Sequence, residues 1–228
     1  MIRVLFIFLF CLPLLLFSQK YGYTIKGGSG LATQRWQGGG GGRSPVLAHH
    51  GVIGADFESE GGNVIYGQLG YHLRGSGERV LRFYDIHGND YPGGFFGMKF
   101  HNISLEAGMK KFFLKQQLKA YYGMGVRVEY TVKQQLQFLY QQYEPFVQKI
   151  NYGFSVKVGT ELELSKFTMG GLEINIAPDI SRQIWVRGVR FIDPRTNMIS
   201  PQNEQSVRNL TIEISLYLRF LQIIEYID

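Results

Sequence analysis

The feature that most constrains the fold is a strict two-residue alternation over residues 118–133. One set of alternate residues is wholly apolar: Leu118, Ala120, Tyr122, Met124, Val126, Val128, Tyr130 and Val132. The other set is polar or glycine, apart from one tyrosine: Lys119, Tyr121, Gly123, Gly125, Arg127, Glu129, Thr131 and Lys133. Successive strand residues point to opposite faces of a sheet, so the segment predicts one β-strand with an apolar face and a polar face.

The same alternation predicts seven further strands. It is clear near residues 103–110, 150–163, 171–176 and 210–220, and weaker near residues 21–33, 47–59 and 64–74. Tight turns at residues 60–63, 114–117 and 164–166 alternate with long connections at residues 34–46, 75–94, 134–148 and 187–205. Short turns at one end and long loops at the other are typical of barrels in bacterial outer membranes. We therefore predict an all-β fold, an eight-stranded antiparallel up-and-down transmembrane β-barrel. Both termini would be periplasmic and the four long loops would face outward.

The N-terminal 18 residues differ from everything that follows. Arg3 gives a short positive start, residues 4–17 are almost wholly apolar, and polar residues begin at Ser18. This layout predicts a secretory signal peptide, since 14 residues interrupted by a proline fall short of the ~20 that a membrane helix needs. We expect cleavage next to Ser18 or Gln19, a single barrel domain over residues 19–228, and export to the outer membrane of a Gram-negative bacterium. Cys11 is the only cysteine and would leave with the signal peptide, which excludes disulfides and thiolate chemistry from the exported chain.

A soluble barrel such as a lipocalin would also alternate. Three features favour a membrane barrel instead. Strands of about 12 to 16 residues exceed the globular mean of about 5–6, and aromatic residues gather near the strand ends, as at a membrane interface. The polar face mixes charges of both signs with glycine, which suits the narrow interior of an eight-stranded barrel.

The formal net charge of +6 would fall to +5 with the loss of Arg3. The Lys and Arg residues are scattered, so the sequence does not favour nucleic acid. Outer-membrane lipid head groups or sugar phosphates are the acidic partners that we expect. No cofactor and no metal site is predicted.

The polar face predicts an ion network inside the barrel with a structural role, because desolvated charges must pair. Its expected members are Glu106, Lys110, Arg127, Glu129, Lys157, Glu161, Glu173, Glu213 and Arg219. Counting outward from the turns places Lys157 almost opposite Glu173, and Glu106 diagonal to Arg127. Glu161 with Glu163, and Asp56 with Glu58, are spaced like an acid–base pair of a glycosidase, but nearby Lys and Arg favour ion pairing.

The histidines do not form a local catalytic or metal-binding motif. His49 and His50 are adjacent, so they would point to opposite faces of a strand and could not bind one ion together. His101 would face away from Ser104 and Glu106, which removes a local Ser-His-acid trio. The glycine run at residues 38–42 lacks the Lys-Ser/Thr of a phosphate-binding loop and predicts a flexible outward loop.

Two of the long connections are more apolar than a simple linker. Residues 134–148 have helix-like spacing of Leu136, Leu139, Tyr140 and Tyr143, so they are compatible with a short amphipathic helix or with an extended strand. Residues 187–205 are similarly apolar. All four long loops are candidate contact surfaces for a protein or surface ligand.

Three segments carry a family resemblance. Residues 103–113 (ISLEAGMKKFF), 170–181 (GGLEINIAPDIS) and 23–31 (YTIKGGSGL) resemble the fourth, seventh and first strands of porin-family, PorT-like outer-membrane barrels, which have an outer membrane protein beta-barrel domain. The resemblance implies insertion by the barrel-assembly machinery. The chain departs from the pattern at its end, because residues 221–228 follow Phe220, whereas many such barrels end on an aromatic residue.

Three classes of function remain after this reading. The first is a structural or interaction barrel whose lumen is plugged by charged side chains, and it is the one we predict. The second is a narrow porin or transporter for small solutes. The third is a lipid-modifying outer-membrane enzyme. No local catalytic motif in the sequence supports it, so we do not expect an enzyme.

Overall fold

The computed structural model describes residues 20–38, 43–59, 61–84, 87–113, 118–192 and 199–223. The predicted signal peptide and its cleavage site lie outside these residues. Eight long strands are β1 (Lys20–Gln37), β2 (Val46–Glu58), β3 (Asn63–Tyr84), β4 (Asp90–Phe112), β5 (Leu118–Leu136), β6 (Ile150–Ser165), β7 (Thr168–Pro178) and β11 (Gln205–Ile223). Three short strands are β8 (Ile184–Val186), β9 (Val189–Ile192) and β10 (Ile199–Gln202), and a 3₁₀ helix spans Phe138–Phe146.

The eight long strands form a closed ring. From β1 to β7, each strand pairs antiparallel with the next. β7 then pairs with β11, and β11 pairs with β1 to close the ring. That last pairing runs without a break from Lys20 opposite Ile223 to Gln37 opposite Ser206. Closure gives every long strand a neighbour on both sides. The predicted eight-stranded antiparallel up-and-down β-barrel is confirmed.

Side chains alternate between the inside and the outside of the ring along each strand. On β5, Met124 and Val126 point outward and are 66% and 70% exposed, whereas Arg127 and Glu129 point inward and are buried. The same alternation continues through β1, β4, β6, β7 and β11. A predominantly apolar outer face around a polar inner face is the reverse of a water-soluble barrel.

The prediction of a long loop over residues 75–94 is wrong. β3 and β4 stay paired as far as Tyr84 opposite Asp90, so the connection shrinks to the residues between them. Glycines at 75, 77, 93 and 94 made this stretch resemble a loop. In the hairpin they make room instead, since a Cβ on Gly77 would overlap the ring of Phe95 across the strand pair.

The other long connections also contain regular structure. β1 continues to Gln37 and β5 to Leu136, and the 3₁₀ helix fills most of residues 134–148. Within residues 187–205, β9 pairs with β10, while β8 just before them adds to β11. Of the glycine run, Gly38 is described and has a φ of 81°. Among the described residues no helix is both long and apolar enough to cross a membrane.

Two apolar clusters occupy the ends of the lumen. At the end of the short turns, Val64, Phe112, Tyr121 and Tyr217 pack together. At the end of the long loops, the cluster contains Met98, Phe100, Tyr140, Ile184 and Val207, with Trp36, Leu139 and Tyr143 against it. The cluster near the short turns lies among charged side chains, since Arg219 Cζ is 5.8 Å from the Phe112 ring centroid and Lys110 Nζ is 4.8 Å from that of Tyr121.

Candidate functional site

The nine residues predicted to form an inner ion network all lie on the inner face and are buried. They come from five strands: Glu106 and Lys110 on β4, Arg127 and Glu129 on β5, Lys157 and Glu161 on β6, Glu173 on β7, and Glu213 and Arg219 on β11. They divide into three groups along the barrel axis, and each group also uses residues outside the predicted set.

The group nearest the short turns is built around Arg219. Its guanidinium binds Asp56 at 2.5 Å, Glu58 at 3.0 Å and Glu161 at 3.4 Å. Thr24 donates a further hydrogen bond to Asp56 at 3.1 Å. A guanidinium offers five donors in a plane, which lets one arginine neutralise several carboxylates.

The middle group is built around Glu173. Lys26 binds it at 2.8 Å, Lys110 at 3.3 Å and Lys157 at 3.9 Å. The hydroxyl of Tyr121 donates to the same carboxylate at 2.7 Å. One buried anion thus serves three ammonium groups, so it is the point of the network whose loss would leave the most charge unpaired.

Beside it, Glu106 binds the third of those lysines. Lys157 Nζ lies 2.7 Å from Glu106 Oε1, and Ser155 and Tyr66 donate to the same oxygen at 2.6 and 2.7 Å. Gln68 Nε2 donates to the other oxygen of this carboxylate, Glu106 Oε2, at 2.9 Å. All of these donors come from β3 and β6, the strands on either side of the β4–β5 pair.

The register differs slightly from the sequence-based expectation. Lys157 lies opposite Asn175, two residues from Glu173. Glu106 lies directly opposite Arg127 and not diagonal to it. The two are not ion-paired even so, because long side chains inside a narrow barrel reach across the lumen to partners on more distant strands.

The group nearest the long loops is built around Arg74. It binds Glu129 at 2.7 Å and Glu213 at 2.9 Å. His72 Nδ1 lies 2.8 Å from the same oxygen of Glu213. Arg127 binds Asp179 at 2.5 Å, and Asn209 donates to that aspartate at 2.7 Å. The centre of this group, Arg74, is completely buried.

Lys26, His72, Arg74 and Asp179 are the network members that sequence reasoning missed. Lys26 was visible on the polar face of the first strand, opposite Ile25 and Tyr23. Arg74 is the last residue of the strand predicted near residues 64–74 and precedes Gly75, and Asp179 follows Pro178, so the alternation on both sides that would mark them as inward-facing is missing.

Glycines on the inner face let side chains on either side of a strand meet. Gly159 lies between Tyr121 on β5 and Glu173 on β7, and the hydrogen bond between those two passes over it. A Cβ on Gly159 would come within 2.5 Å of the tyrosine hydroxyl. A bare backbone on the middle strand is therefore what permits this bond.

Three more glycines repeat the arrangement. Each lies in register between the two partners of a hydrogen bond: Gly171 between Glu161 and Tyr217 (3.1 Å), Gly28 between His50 and Ser215 (2.7 Å), and Gly153 between Arg127 and Asp179 (2.5 Å). The inner glycines thus set which strands the polar bonds connect, in addition to relieving crowding.

The buried charges nearly balance. Within the described residues they comprise eight carboxylates, six Lys or Arg side chains and two histidines. Each of the three groups contains both carboxylates and cations, so none presents a single sign of charge. Such a filling stabilises the barrel interior but does not resemble the single-sign ring of an ion-selective pore.

The two carboxylate pairs do not form acid–base sites. Asp56 and Glu58 both bind Arg219. Glu161 is buried, but Glu163 is exposed at the turn, where the strand register shifts. The pair at 161 and 163 therefore does not share one environment.

The histidines include one contact of catalytic type. His49 faces outward and His50 inward, in agreement with their adjacency. His50 Nε2 lies 2.7 Å from Ser215 Oγ, a hydroxyl–imidazole distance found in nucleophile–base pairs. His50 Nδ1 has no hydrogen-bond partner, however, and the nearby Glu213 is held by His72 and Arg74. The described residues also contain no group of three or more His, Cys, Asp or Glu placed to hold a metal ion.

The loop end is closed by an aromatic layer with one arginine in it. The Arg43 guanidinium lies 4.3 Å from the Trp36 ring centroid and 5.4 Å from that of Tyr140, and it forms an ion pair with Glu78. Burial raises the pKa of Tyr140 to about 12, so its hydroxyl stays protonated at neutral pH and accepts from Arg43 at 2.7 Å. Tyr143 packs edge-on against Trp36. The 3₁₀ helix thereby seals the lumen from the loop side.

The β3–β4 hairpin is the main exposed feature at this end. Beyond residue 78 on β3 and before residue 96 on β4, exposed apolar residues include Leu81, Tyr84, Tyr91 and Phe95. Arg82 and Asp90 form an exposed ion pair across the hairpin at 3.3 Å. We refer to residues 79–84 and 90–95 as the hairpin arm.

No protein-family model matches the sequence, and no curated protein matches it. Among solved structures, the chain is similar to outer-membrane barrels. Neisserial surface protein A (NspA) is 12% identical with a TM-score of 0.45, over 89% of this chain and 97% of that one. The outer membrane protein OprG from Pseudomonas aeruginosa is 8% identical with a TM-score of 0.49, over 89% and 96%. The outer membrane protease OmpT from Escherichia coli is 10% identical with a TM-score of 0.42, over 90% and 94%. The likeness lies in the arrangement of the strands, and the roles of these proteins differ.

Proposed function

We propose that this chain is an integral outer-membrane β-barrel of structural or interaction type. The observation that carries the proposal is the outer apolar face, which surrounds the closed ring. Val126 and Leu216, on different sides of the ring, are each 70% exposed. A continuous apolar surface of this extent is unfavourable in water and suited to a hydrocarbon layer.

The arrangement of turns supports an orientation. β1 begins, and β11 finishes, at the barrel end that carries the short turns. The long connections lie at the opposite end. Known barrels of this kind place short turns in the periplasm and long loops outside. We therefore propose periplasmic termini and an outward-facing loop end, with insertion by the barrel-assembly machinery.

The filled lumen favours a plugged barrel over a pore. The three ion groups fill the inner face of the barrel, together with the two apolar clusters. Conduction of a solute would require breaking buried ion pairs, which is costly when one partner is left unpaired. The loop end, with the hairpin arm as its most exposed part, is the surface that we propose contacts a protein or surface ligand.

A narrow porin and a lipid-modifying enzyme are the other candidates. The Ser215–His50 contact is the observation that bears on the enzyme, but it is buried inside the lumen and His50 lacks an orienting acid. We therefore propose a non-enzymatic role. Membership of the porin-family, PorT-like barrels rests on the sequence resemblance alone and remains a proposal.

Membrane insertion and plugging can be tested separately. The purified full chain should migrate faster on a gel before boiling than after, and should require detergent or lipid to stay in solution. A chain that remains soluble without either would contradict the proposed membrane location.

The plug is tested by planar-bilayer conductance. We expect no stable open state from the inserted protein. A steady ion-selective conductance that changes when Lys157→Gln is introduced would show that ions pass the middle group, and would overturn the plugged barrel in favour of the narrow porin.

A further inference from the structure

Two arginines face each other on the outer surface at the loop end. Arg35 on β1 lies directly opposite Arg208 on β11, and both continue the outward-facing set of their strands. Like charges directly opposite on neighbouring strands repel. Within the described part of the chain neither forms an ion pair, and Arg208 Nε is buried without a hydrogen-bond partner. An anion between the two guanidinium groups would relieve this repulsion, and the described residues do not supply one.

A tryptophan with two more arginines adjoins the pair. Trp185 on β8 lies opposite Ser206, two residues from Arg208 on the same strand. The guanidinium groups of Arg182 and Arg187 lie 5.1 and 4.8 Å from its ring centroid. Glu204, which binds Arg182 at 2.6 Å, is the acidic partner in this cluster. We refer to Arg35, Arg182, Trp185, Arg187 and Arg208 as the seam patch.

The seam patch lies at the edge of the apolar band. Tyr23 and Phe220 are paired with each other at the opposite end, twelve residues from Arg35 and Arg208 along their strands. At about 3.3 Å per residue and a tilt of about 40°, that separation is about 30 Å along the barrel axis. This is close to the thickness of a hydrocarbon layer, so the arginines lie at the level of lipid head groups.

An apolar groove lies on the outer surface between the two levels. Its floor is formed by the small residues Gly27 and Ser29 on β1, and its walls include Leu31, Leu47, Ile214 and Leu216. A Cβ added to Gly27 would have no atom nearer than 3.9 Å. The groove is thus an open furrow on the outer surface along the β1–β11 seam. Along β1 it runs from Gly27 to Leu31, in the direction of Arg35.

We propose that the seam of β1 and β11 binds one phosphate-bearing lipid of the outer leaflet. The phosphate would lie between Arg35 and Arg208, whose guanidinium forks match phosphate oxygens, and an acyl chain would lie in the groove over Gly27 and Ser29. The proposal rests on the proposed membrane location and adds a ligand class to it.

The test is a titration of the detergent-solubilised full chain with bis-phosphorylated lipid A, followed by native mass spectrometry. We expect a one-to-one complex. Arg35→Gln with Arg208→Gln should weaken it about tenfold or more, the loss of a charge-assisted phosphate contact. Gly27→Leu should weaken it severalfold by filling the groove.

Matched variants separate this site from general attraction to charge. Lys99 and Lys133 are exposed near the loop end on β4 and β5, and Gly67 faces outward with no atom within 4 Å of an added Cβ. Lys99→Gln with Lys133→Gln, and Gly67→Leu, should change the affinity less than twofold. Equal losses for the two double variants would overturn the proposal, as would an unchanged affinity of the Arg35/Arg208 variant.

Two further measurements distinguish a lipid site from a site for soluble anions, and failure of this inference from failure of the proposed function. Displacement of the lipid by millimolar inorganic phosphate would indicate a site for soluble anions and overturn the lipid assignment, whereas persistence of the complex supports it. Heat-modifiable migration in phosphatidylcholine vesicles, without lipid A, tests the membrane location first. Failure to insert into these vesicles would contradict the proposed function. Correct insertion without binding of lipid A would contradict only this inference.

Discussion

Gly27 and Gly28 are neighbours in sequence and have opposite surroundings. Gly27 faces outward, and a side chain there would meet nothing nearer than 3.9 Å. Gly28 faces inward, and a Cβ there would overlap the carbonyl oxygen of Ile214. The outer glycine leaves open space on the apolar face, whereas the inner one lets His50 and Ser215 meet across β1. The same residue type thus serves two purposes, decided only by which face it occupies.

The contrast extends to the charged residues inside the barrel and the apolar band outside it. Inner charges are bound by partners on other strands, often across an intervening glycine, so each depends on distant parts of the chain. Outer residues in the apolar band interact mainly with their neighbours and the surrounding medium. Substitutions on the inner face should therefore be felt throughout the barrel, and those on the outer face only through the lipid.

Removal of the charge at Glu173 should have the largest effect. Glu173→Gln leaves Lys26, Lys110 and Lys157 without their shared anion, and breaking a buried ion pair by removing one partner costs about 3–5 kcal/mol. The free energy of unfolding, measured by urea titration of the vesicle-inserted protein, should fall by that amount. Glu163→Gln, on the exposed turn, should change it by less than about 0.5 kcal/mol. A similar loss for both would contradict a specific role of the middle group.

A charge placed on the outer face should be costly only at mid-depth. Val126 lies halfway between Tyr122 and Tyr130 on β5, so Val126→Lys would place an ammonium group near the bilayer centre. The expected cost is about 2–4 kcal/mol, falling to about 0–1 kcal/mol for Val132→Lys near the interface. The same urea titration measures both. Equal costs at the two depths would mean that this face does not meet hydrocarbon.

The neighbouring glycines give the next effect. Gly28→Ala forces a methyl group against the backbone of β11, and overpacking of this kind costs about 1–3 kcal/mol. Gly27→Ala, one residue away, should be neutral within about 0.5 kcal/mol. Unfolding midpoints of the two variants in one detergent check the prediction. If Gly27→Ala proved the more harmful variant, the inside–outside assignment of β1 would be wrong.

Much of the fold was readable from alternation alone. The eight strands and their order follow from a two-residue period that a barrel requires on every strand. The strand ends at the loops were not readable, because β3 and β4 continue through glycines that ordinarily mark a loop. In this stretch the ring of Phe95 fills the space over Gly77, a contact between residues 18 positions apart that no local pattern announces.

Nine members of the inner network were predictable as inward-facing residues, but their pairing was not. Alternation placed Glu106 and Arg127 on the inner face, but their bonds go to Lys157 and Asp179. Which strands a long side chain reaches depends on the curvature and tilt of the closed ring and on glycines in between. None of these is encoded in the period of one strand.

The smallest expected effect comes from a single hydroxyl. Tyr121→Phe removes the hydrogen bond to Glu173 that crosses over Gly159, while Lys26 and Lys110 still bind the carboxylate. We expect a loss of about 1 kcal/mol, below the usual value for a bond to a charged group because those partners remain. Tyr122→Phe alters the adjacent, outward-facing ring, so the free energy of unfolding should not change measurably in detergent. Equal losses would mean that the inner hydroxyl contributes no more than an outer one, and the distinction between the two faces would then rest on the buried charges alone.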